Sequence, residues 1–252
     1  MTQQSNQPLL KKIRIVLVNT SHPGNIGATA RAMKNMGLSS LYLVDPKAHP
    51  TLEAYRRAAG AIDVLDNAVV VKDLNQAVSG CVWVAGTSAR LRTIEWPILE
   101  PRECVQQCIE HLDTGDIAIV FGRENSGLSN EEMEKCNALL HIPTNDEYSS
   151  LNLAAAVQVV CYEFRLALIS EKKTKAKSKK HREDALASSD QLDGMYQHLY
   201  DALGAVEFFG TNNPDVVMRR LKGLFNRANI TQREVSIIRG ICSAIQAKKN
   251  SR

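Results

Sequence analysis

The first 170 residues alternate short runs of β-branched residues with stretches of helical periodicity, and this order limits the fold more than any other feature of the sequence. It is typical of an α/β domain with a mainly parallel sheet, because parallel neighbours are joined by long crossovers that are usually helices. The pattern predicts six extended segments with helices between them, at residues 13–18, 41–44, 69–71, 82–85, 117–121 and 139–142.

Glycine, proline and an apolar run mark the helices of this part. A helix predicted over residues 28–36 is followed by Gly37, which can adopt the left-handed conformation that ends many helices. Pro101 is expected to begin another helix, since the missing N–H of proline costs nothing in a first turn. A third helix is predicted over the apolar residues 151–169.

The C-terminal part is predicted to be all-helical. Three helix starts follow one another and indicate a small appended domain over residues 185–252. The markers are Ser189 or Asp190 for a helix that reaches about Phe208, Asn213 with Pro214 for a second, and the capping-box pair Thr231 and Glu234 for a third.

A lysine-rich segment, residues 171–184, separates the two parts. From 171 to 182 it carries seven lysines and arginines against one glutamate, so it repels itself and stays solvated. Two interpretations stay open: a plain spacer, or a polycation that contacts the phosphate backbone of a nucleic acid.

The hydrophobic content of 44% is typical of a globular protein, and we expect this one to be cytoplasmic. No run approaches the roughly 20 apolar residues of a membrane span, and the N-terminus lacks the core of a signal peptide. The six cysteines have no short paired spacings, and Cys104 with Cys108 lacks further metal ligands nearby. We therefore expect buried reduced thiols, no metal and no membrane partner.

Three polar turns adjoin predicted strands or a helix start. They are residues 25–31 (NIGATAR), 121–128 (FGRENSGL) and 145–152 (NDEYSSLN). Because ligands gather beyond the carboxyl ends of parallel strands, these turns indicate one shared site. Ser149 and Ser150 either cap the helix that follows or offer hydroxyls to a ligand, and a cap needs only one of them.

Small residues would let a ligand approach the backbone of these turns. Thr87, Ser88 and Ala89 form a fourth turn after residues 82–85, and Gly122 opens the second turn. The GxGxxG and Walker sequences are absent, so dinucleotide and P-loop sites lose support. The histidines form no recognisable hydrolytic triad, so nucleophilic hydrolysis loses support as well.

Two charged residues of the turns have both a structural and a functional interpretation. Arg31 either aims a permanent charge at the sheet edge or lies along the surface as an ordinary arginine. Glu124 either pairs with a cation near the site or positions a turn, and a structural ion pair is the plainer alternative.

The turns resemble the motifs of the SPOUT superfamily, specifically its TrmH-like RNA ribose 2′-O-methyltransferases. NIGATAR resembles the first motif, IVFGRENSGLSNEE the second and HIPTNDEYSSLNLAAAV the third. The segments GTSAR, EPREC, RLKGLFNRA and IIRGI resemble the branch of that family that methylates the ribose of nucleotide 32, a cytidine or uridine, in the tRNA anticodon loop. The likeness covers nearly the whole chain.

This resemblance implies a SPOUT-type methyltransferase domain over residues 1–170, with a trefoil knot over about residues 117–169, although chains generally avoid threading loops. It also implies a homodimer with active sites at the subunit interface, and S-adenosylmethionine as the methyl donor, converted to S-adenosylhomocysteine. The implied cofactor contacts are Thr87, Ser88, Ala89, Gly122, Ile142, Ser149, Ser150 and Leu151.

The resemblance gives catalytic roles to Arg31, Glu124, Ser150 and Asn152. Family proposals make the arginine the acceptor of the ribose hydroxyl proton, but a guanidinium with a pKa above about 12 is costly to deprotonate. We expect instead that Arg31 orients an RNA phosphate and stabilises the developing alkoxide, while the other three residues hold the geometry.

The residues expected to contact RNA are Asn25, Arg90 and Arg123 near the site, and Arg219, Arg220, Lys222 and Arg227 in the helical part, which is interpreted as a tRNA-binding extension. A charged outer face is the alternative for the last four. Rival functions are a ribosomal RNA ribose methyltransferase, an RNA-binding protein without catalysis, and a Rossmann-type oxidoreductase suggested only by the alternating pattern.

Overall fold

The computed structural model describes residues 7–89, 96–174, 185–211 and 213–250. Its strands are Ile13–Val18 (β1), Ser40–Val44 (β2), Val69–Val71 (β3), Cys81–Thr87 (β4), Ile98–Leu99 (β5), Asp116–Phe121 (β6) and Ala138–Leu140 (β7). Its α-helices are Gln7–Leu10 (α1), Pro23–Met36 (α2), Leu52–Ala58 (α3), Ile62–Asp66 (α4), Leu74–Val78 (α5), Pro101–His111 (α6), Asn130–Met133 (α7), Leu153–Thr174 (α8), Ser189–Ala205 (α9), Pro214–Ala228 (α10) and Gln232–Asn250 (α11), with a 3₁₀ turn at Ala59–Ala61.

The seven strands form one sheet in the order β3-β2-β1-β6-β4-β7-β5, and every described pairing within it is parallel. This confirms the predicted parallel sheet. Several boundaries differ from the prediction: β4 runs from Cys81 to Thr87 and not over residues 82–85, and α2 begins at Pro23, five residues before the predicted start at 28. The two-residue strand β5 was not predicted, because it is too short to carry a periodic pattern, and β7 ends at Leu140, so Ile142 lies beyond the strand.

Both faces of the sheet are buried, as an all-parallel sheet requires. Alternate residues of a strand point to opposite faces, so Ile13, Ile15 and Leu17 of β1 pack in the core beneath α2, α6 and α8. Val16 and Val18 belong to the second core with α5 and α7. The continuous β-branched runs therefore reflect burial on two sides.

Helix α2 lies directly against α3. A Cβ atom on Gly27 would stand 2.0 Å from the carbonyl oxygen of Ala54, so only glycine permits this approach. The helix ends at Gly37, whose φ of 88° and whose N–H donated to the Lys34 carbonyl confirm the predicted left-handed cap. Pro101 begins α6, also as predicted.

The strand order, in which β6 lies between β1 and β4, is consistent with the trefoil knot that the resemblance implies. Helix α8 begins two residues later than predicted and continues to Thr174, four residues into the predicted lysine-rich segment. The rest of that segment, residues 175–184, lies outside the described ranges. Within those ranges, no helix combines the length and apolar character that crossing a membrane requires.

The six cysteines are buried and unbridged, as the sequence predicts. Burial raises the pKa of the Cys161 thiol to about 12, so this group stays protonated and unreactive at neutral pH.

Helices α9, α10 and α11 form a separate unit with its own core. Its buried centre includes Met195, Phe209, Met218 and Val235. The capping-box pair that was predicted for the third helix is present, since the Glu234 carboxylate accepts hydrogen bonds from the Thr231 N–H and hydroxyl. The first helix ends at Ala205, three residues before the predicted Phe208.

A buried polar network joins this helical unit to the sheet. The Asn137 side chain accepts from the Val84 N–H at 2.8 Å and donates to the Asn226 carbonyl at 3.2 Å. Asn226 in turn donates to the Glu134 carbonyl at 3.0 Å and accepts from the Tyr196 hydroxyl at 2.6 Å. These bonds dock α10 and α9 beside β4.

Replacement of Asn226 by alanine is expected to lower the free energy of unfolding by about 1–3 kcal/mol, because it leaves the buried Tyr196 hydroxyl and a backbone carbonyl without partners. Urea unfolding measures the difference, with Asn35→Ala on the exposed side of α2 as the matched control. A variant within about 0.5 kcal/mol of the wild type would show that the network does not hold the unit in place.

Candidate functional site

A cavity of about 540 Å³ opens where β4, β6 and β7 end, within the size range of small-molecule sites. Turns from all three strands and the start of α8 line it. The lining residues are Thr87, Ser88, Ala89, Phe121, Gly122, Arg123, Glu124, Asn125, Ser126, Gly127, Leu140, Ile142, Ser149, Ser150, Leu151, Leu153 and Ala156.

The turn after β6 closes on itself to form one wall. Arg123 and Gly127 exchange backbone hydrogen bonds of 3.2 and 2.9 Å, and a Cβ on Gly122 would lie 2.2 Å from the carbonyl carbon of Gly127. Glycine at 122 is therefore required for this wall. Glu132 holds the Arg123 guanidinium from below by two hydrogen bonds of 2.9 and 3.0 Å.

The turns after β4 and β7 are joined to each other. The Ser88 N–H donates to the Leu140 carbonyl at 3.0 Å, and the His141 ring nitrogen Nδ1 lies 3.1 Å from the Ser88 carbonyl oxygen. These contacts place the small lining residues at the end of β4 beside the larger Leu140 and Ile142 at the end of β7.

The cap of α8 is Asn152, and neither Ser149 nor Ser150 performs that role. The Asn152 side-chain oxygen accepts from the Ala154 N–H at 3.0 Å, so the helix begins at Leu153. Both serines line the cavity. Of the two interpretations of these serines, the structure favours the one that leaves them free for a ligand.

A hydrogen-bonded chain connects the three motifs. The Asn152 amide donates to Asn25 Oδ1 at 3.0 Å, and the Asn25 amide donates to Glu124 Oε1 at 2.9 Å. Glu124 also accepts from the backbone N–H groups of Ser21 and His22 at 3.1 and 3.3 Å. The first motif, residues 25–31, lies within α2 and is not the predicted turn. Through Asn25 it joins the second motif, at Glu124, to the third, at Asn152.

Glu124 positions these segments and, among the described residues, pairs with no cation. Burial acts to raise the pKa of Glu124, but the hydrogen bonds from Asn25 and from backbone N–H groups, including those of Ser21 and His22, outweigh it and lower the pKa. The carboxylate is therefore ionised at neutral pH and acts only as an acceptor. Within the described ranges the contacts of Glu124 favour the turn-positioning interpretation over the ion pair.

Arg31 does not line the cavity of the single chain. It is exposed on α2, six residues beyond Asn25 and so about 9 Å farther along the helix axis. Within the described ranges it makes no hydrogen bond or ion pair. The position at the sheet edge that the sequence analysis considered for Arg31 is therefore not observed in the single chain.

The residues predicted to contact RNA differ in their surroundings. Arg123 binds Glu132, while Arg219 and Lys222 both bind Glu134, at 2.5 and 3.5 Å, in the contact between the helical unit and the sheet. These three have structural roles that the sequence did not reveal. Arg220 and Arg227 are exposed on α10, and Arg90 lies outside the described ranges.

Sequence reasoning missed several residues of the site. Asn125 and Ser126 line the cavity and stood inside the second motif, but nothing in the sequence distinguished them from ordinary turn residues. Ser21 and His22 hold Glu124 through backbone groups, which carry no sequence signal. Among the described residues, no three metal-ligating side chains come together.

Two family models cover most of the chain. Residues 12–162 match the SpoU rRNA Methylase family, and residues 190–252 match the C-terminal domain of the tRNA methyltransferase TrmJ. The tRNA (cytidine/uridine/adenosine-2′-O-)-methyltransferase TrmJ of Pseudomonas aeruginosa is 49% identical over 244 residues, which are 94% of this chain and 95% of the relative. The chain belongs to the TrmJ branch of the SpoU methylases.

Solved structures agree with this TrmJ assignment. TrmJ from Z. mobilis superposes with a TM-score of 0.80 at 31% identity, covering 92% of this chain and 98% of that chain. The SpoU methyltransferase AviRb of Streptomyces viridochromogenes, solved in complex with AdoMet, has a TM-score of 0.50 at 22% identity over 62% of this chain and 60% of that one. The second likeness concerns the fold alone.

For this TrmJ-family chain, Glu124→Gln is expected to lower the free energy of unfolding by about 1 kcal/mol at neutral pH, because an amide sets an NH₂ group against N–H donors. The depressed pKa means that the carboxylate's contribution is complete above its ordinary value of 4.5 and is lost as the pH falls through the lower folded value. When urea unfolding is measured at successively lower pH below 4.5, the difference in the free energy of unfolding between wild type and Glu124→Gln should decrease.

Glu110→Gln, on the exposed side of α6, is the matched control and should change little. A Glu124→Gln difference that stayed constant down to the acid transition would contradict the role given to the ionised carboxylate.

Proposed function

We propose that this chain is an S-adenosylmethionine-dependent methyltransferase that methylates the ribose 2′-hydroxyl of nucleotide 32, a cytidine or uridine, in the tRNA anticodon loop. The observation that carries the proposal is the single cavity shared by the turns after β4, β6 and β7, in a chain whose two parts match a SpoU methylase and a TrmJ C-terminal domain.

The cavity suits the proposed cofactor. Backbone groups of Thr87, Gly122 and Leu151 are approachable because the surrounding side chains are small, and Leu140 and Ile142 supply an apolar wall for an adenine ring. AviRb binds AdoMet on the same kind of sheet. The eight cofactor contacts named from the sequence all line the cavity, which supports their assignment.

The substrate is inferred from the helical unit. A ribosomal RNA target is the alternative suggested by the family description of residues 12–162, but the TrmJ match over residues 190–252 favours tRNA. Nucleotide 32 follows from the resemblance of the motifs. Arg220 is exposed on α10 and available to a phosphate, and the lysine-rich segment 171–184 lies between the two proposed domains, 1–170 and 185–252.

In the proposed reaction the ribose oxygen forms a bond to the methyl carbon as the bond from that carbon to sulfur breaks, S-adenosylhomocysteine leaves, and the hydroxyl proton passes to water. Bound S-adenosylmethionine supplies that methyl group as an activated sulfonium substituent. Glu124, held by Asn25 and by backbone N–H groups, fixes the turn that faces Ser150, and Asn152 fixes the start of α8. Arg31, without a protein partner in the described ranges, orients an RNA phosphate and stabilises the developing alkoxide.

A homodimer is part of the proposal. An exposed apolar stripe begins at Leu151, beside the cavity and just before α8, and continues along α8 through Val159, Tyr162 and Ile169. Residues spaced three and four apart share one helix face, and such a face is typical of a subunit contact. A partner packed there would border the cavity and enclose the site between two subunits.

The decisive experiment maps ribose methylation in tRNA incubated with the protein and S-adenosylmethionine. The wild type is expected to methylate the ribose of nucleotide 32. Arg31→Ala should lower the single-turnover rate by about 100- to 1000-fold, because it removes the charge that stabilises the alkoxide. Its affinity for S-adenosylmethionine should be unchanged, since Arg31 does not line the cavity.

The matched control is Lys11→Ala, which removes an exposed cation at the opposite edge of the sheet, before β1. If the wild type leaves tRNA unmethylated, or methylates only ribosomal RNA, the proposed substrate is refuted. An Arg31→Ala protein with normal turnover would refute the proposed mechanism and leave the substrate standing.

A further inference from the structure

Tyr148 is the most exposed large hydrophobic side chain in the described part of the protein, at 82%. It directly precedes Ser149 and Ser150, which line the cavity. Consecutive Cα atoms are about 3.8 Å apart, so the Tyr148 backbone lies one residue away from the cavity lining. Single exposed hydrophobic residues are common on protein surfaces, but this tyrosine is adjacent to the residues of the proposed reaction site.

The loop that carries Tyr148 is held in a defined turn. Asn145 accepts hydrogen bonds from the Glu147 N–H at 3.2 Å and from the Tyr148 N–H at 3.0 Å, and the Thr144 hydroxyl donates to the Ser149 carbonyl at 3.1 Å. Among described residues the Tyr148 ring contacts no other ring and its hydroxyl has no partner. The fold therefore presents this ring without using it.

The charge around the ring limits what it can contact. Asp146 and Glu147 precede it and are exposed, and Glu124 lies at the cavity wall. Three carboxylates repel a phosphate backbone, so the part of an RNA that fits here is the neutral base.

We infer that Tyr148 stacks on the base of the nucleotide whose ribose is methylated. This inference rests on the proposed function, since it assigns the contact that holds the same target nucleotide. The base and the reacting hydroxyl are attached to the same ribose, so an aromatic residue next to the cavity lining is in reach of the base when the hydroxyl enters the cavity. RNA loops are commonly read by bases splayed onto aromatic side chains.

Stacking explains tolerance of different bases, because every base has an aromatic face. The P. aeruginosa relative is named for cytidine, uridine and adenosine, three bases whose hydrogen-bonding edges differ. A site that selected the target through a hydrogen-bonded edge would discriminate among them.

A second copy of the chain is the competing occupant of this ring. The carboxylates Asp146 and Glu147 make a subunit contact here less favourable than on the apolar stripe of α8. The oligomeric state of a Tyr148 variant decides between the two.

The test measures kcat/KM for tRNA at saturating S-adenosylmethionine, with two substrates: native tRNA, and tRNA with an abasic ribose at the nucleotide that the wild type methylates. Tyr148→Ala is expected to be roughly 5- to 150-fold slower than wild type on native tRNA. On the abasic tRNA, kcat/KM of the wild type should fall by the same factor. The kcat/KM of Tyr148→Ala should be no lower on the abasic tRNA than on native tRNA, because stacking needs both the ring and the base.

Tyr148→Phe should remain within about twofold of the wild type, since the ring is retained. Leu52→Ala removes another exposed hydrophobic side chain, away from the cavity, and should have no effect. Sedimentation should show the same oligomer for Tyr148→Ala and wild type.

Full activity of Tyr148→Ala on native tRNA would overturn the inference and leave the proposed function standing. The same holds if the variant and the missing base each lower kcat/KM by an independent factor. Dissociation of the Tyr148→Ala oligomer would overturn it in favour of a subunit contact. A wild type that methylated no tRNA would overturn the proposed function and the inference together.

Discussion

The constraint on which the structure depends is the parallel pairing of β1, β6, β4 and β7 as consecutive neighbours. Parallel strands send all their carboxyl ends to one edge, so the turns that follow them become adjacent although they are far apart in sequence. Interior positions of these strands are filled by side chains that pack on both faces, which leaves this edge as the place where polar turns can gather. The cavity and the Glu124 contacts both follow from that arrangement.

Backbone groups shape the site as much as side chains do. The wall after β6 exists because Gly122 and Gly127 approach to a distance that a Cβ would prevent. The turn after β1 is held by its own N–H groups, which donate to Glu124. On the other side of β4 the helical unit is anchored through Asn137 and Asn226, so the proposed RNA-binding helices have a fixed relation to the cavity.

The sequence predicted the elements well where periodicity was strong. The strands at residues 13–18 and 69–71 and the cap at Gly37 were confirmed, because β-branched runs and a glycine after a helix have few alternatives. The short strand β5 was not predicted because its two residues carry no periodic pattern, and the cap at Asn152 was not predicted because Ser149 and Ser150 offered the same capping chemistry nearby. The partners of Arg219 and Arg123 depend on tertiary contacts in the same way, and the position of Arg31 outside the single-chain cavity was also unforeseen.

The most direct test of convergence is hydrogen–deuterium exchange of the wild-type protein with and without saturating S-adenosylmethionine. If separate turns form one cofactor cavity, peptides covering residues 87–89, 122–127 and 142–151 should all become protected together, at one ligand concentration. Protection of only one of these turns, or of none, would contradict the account.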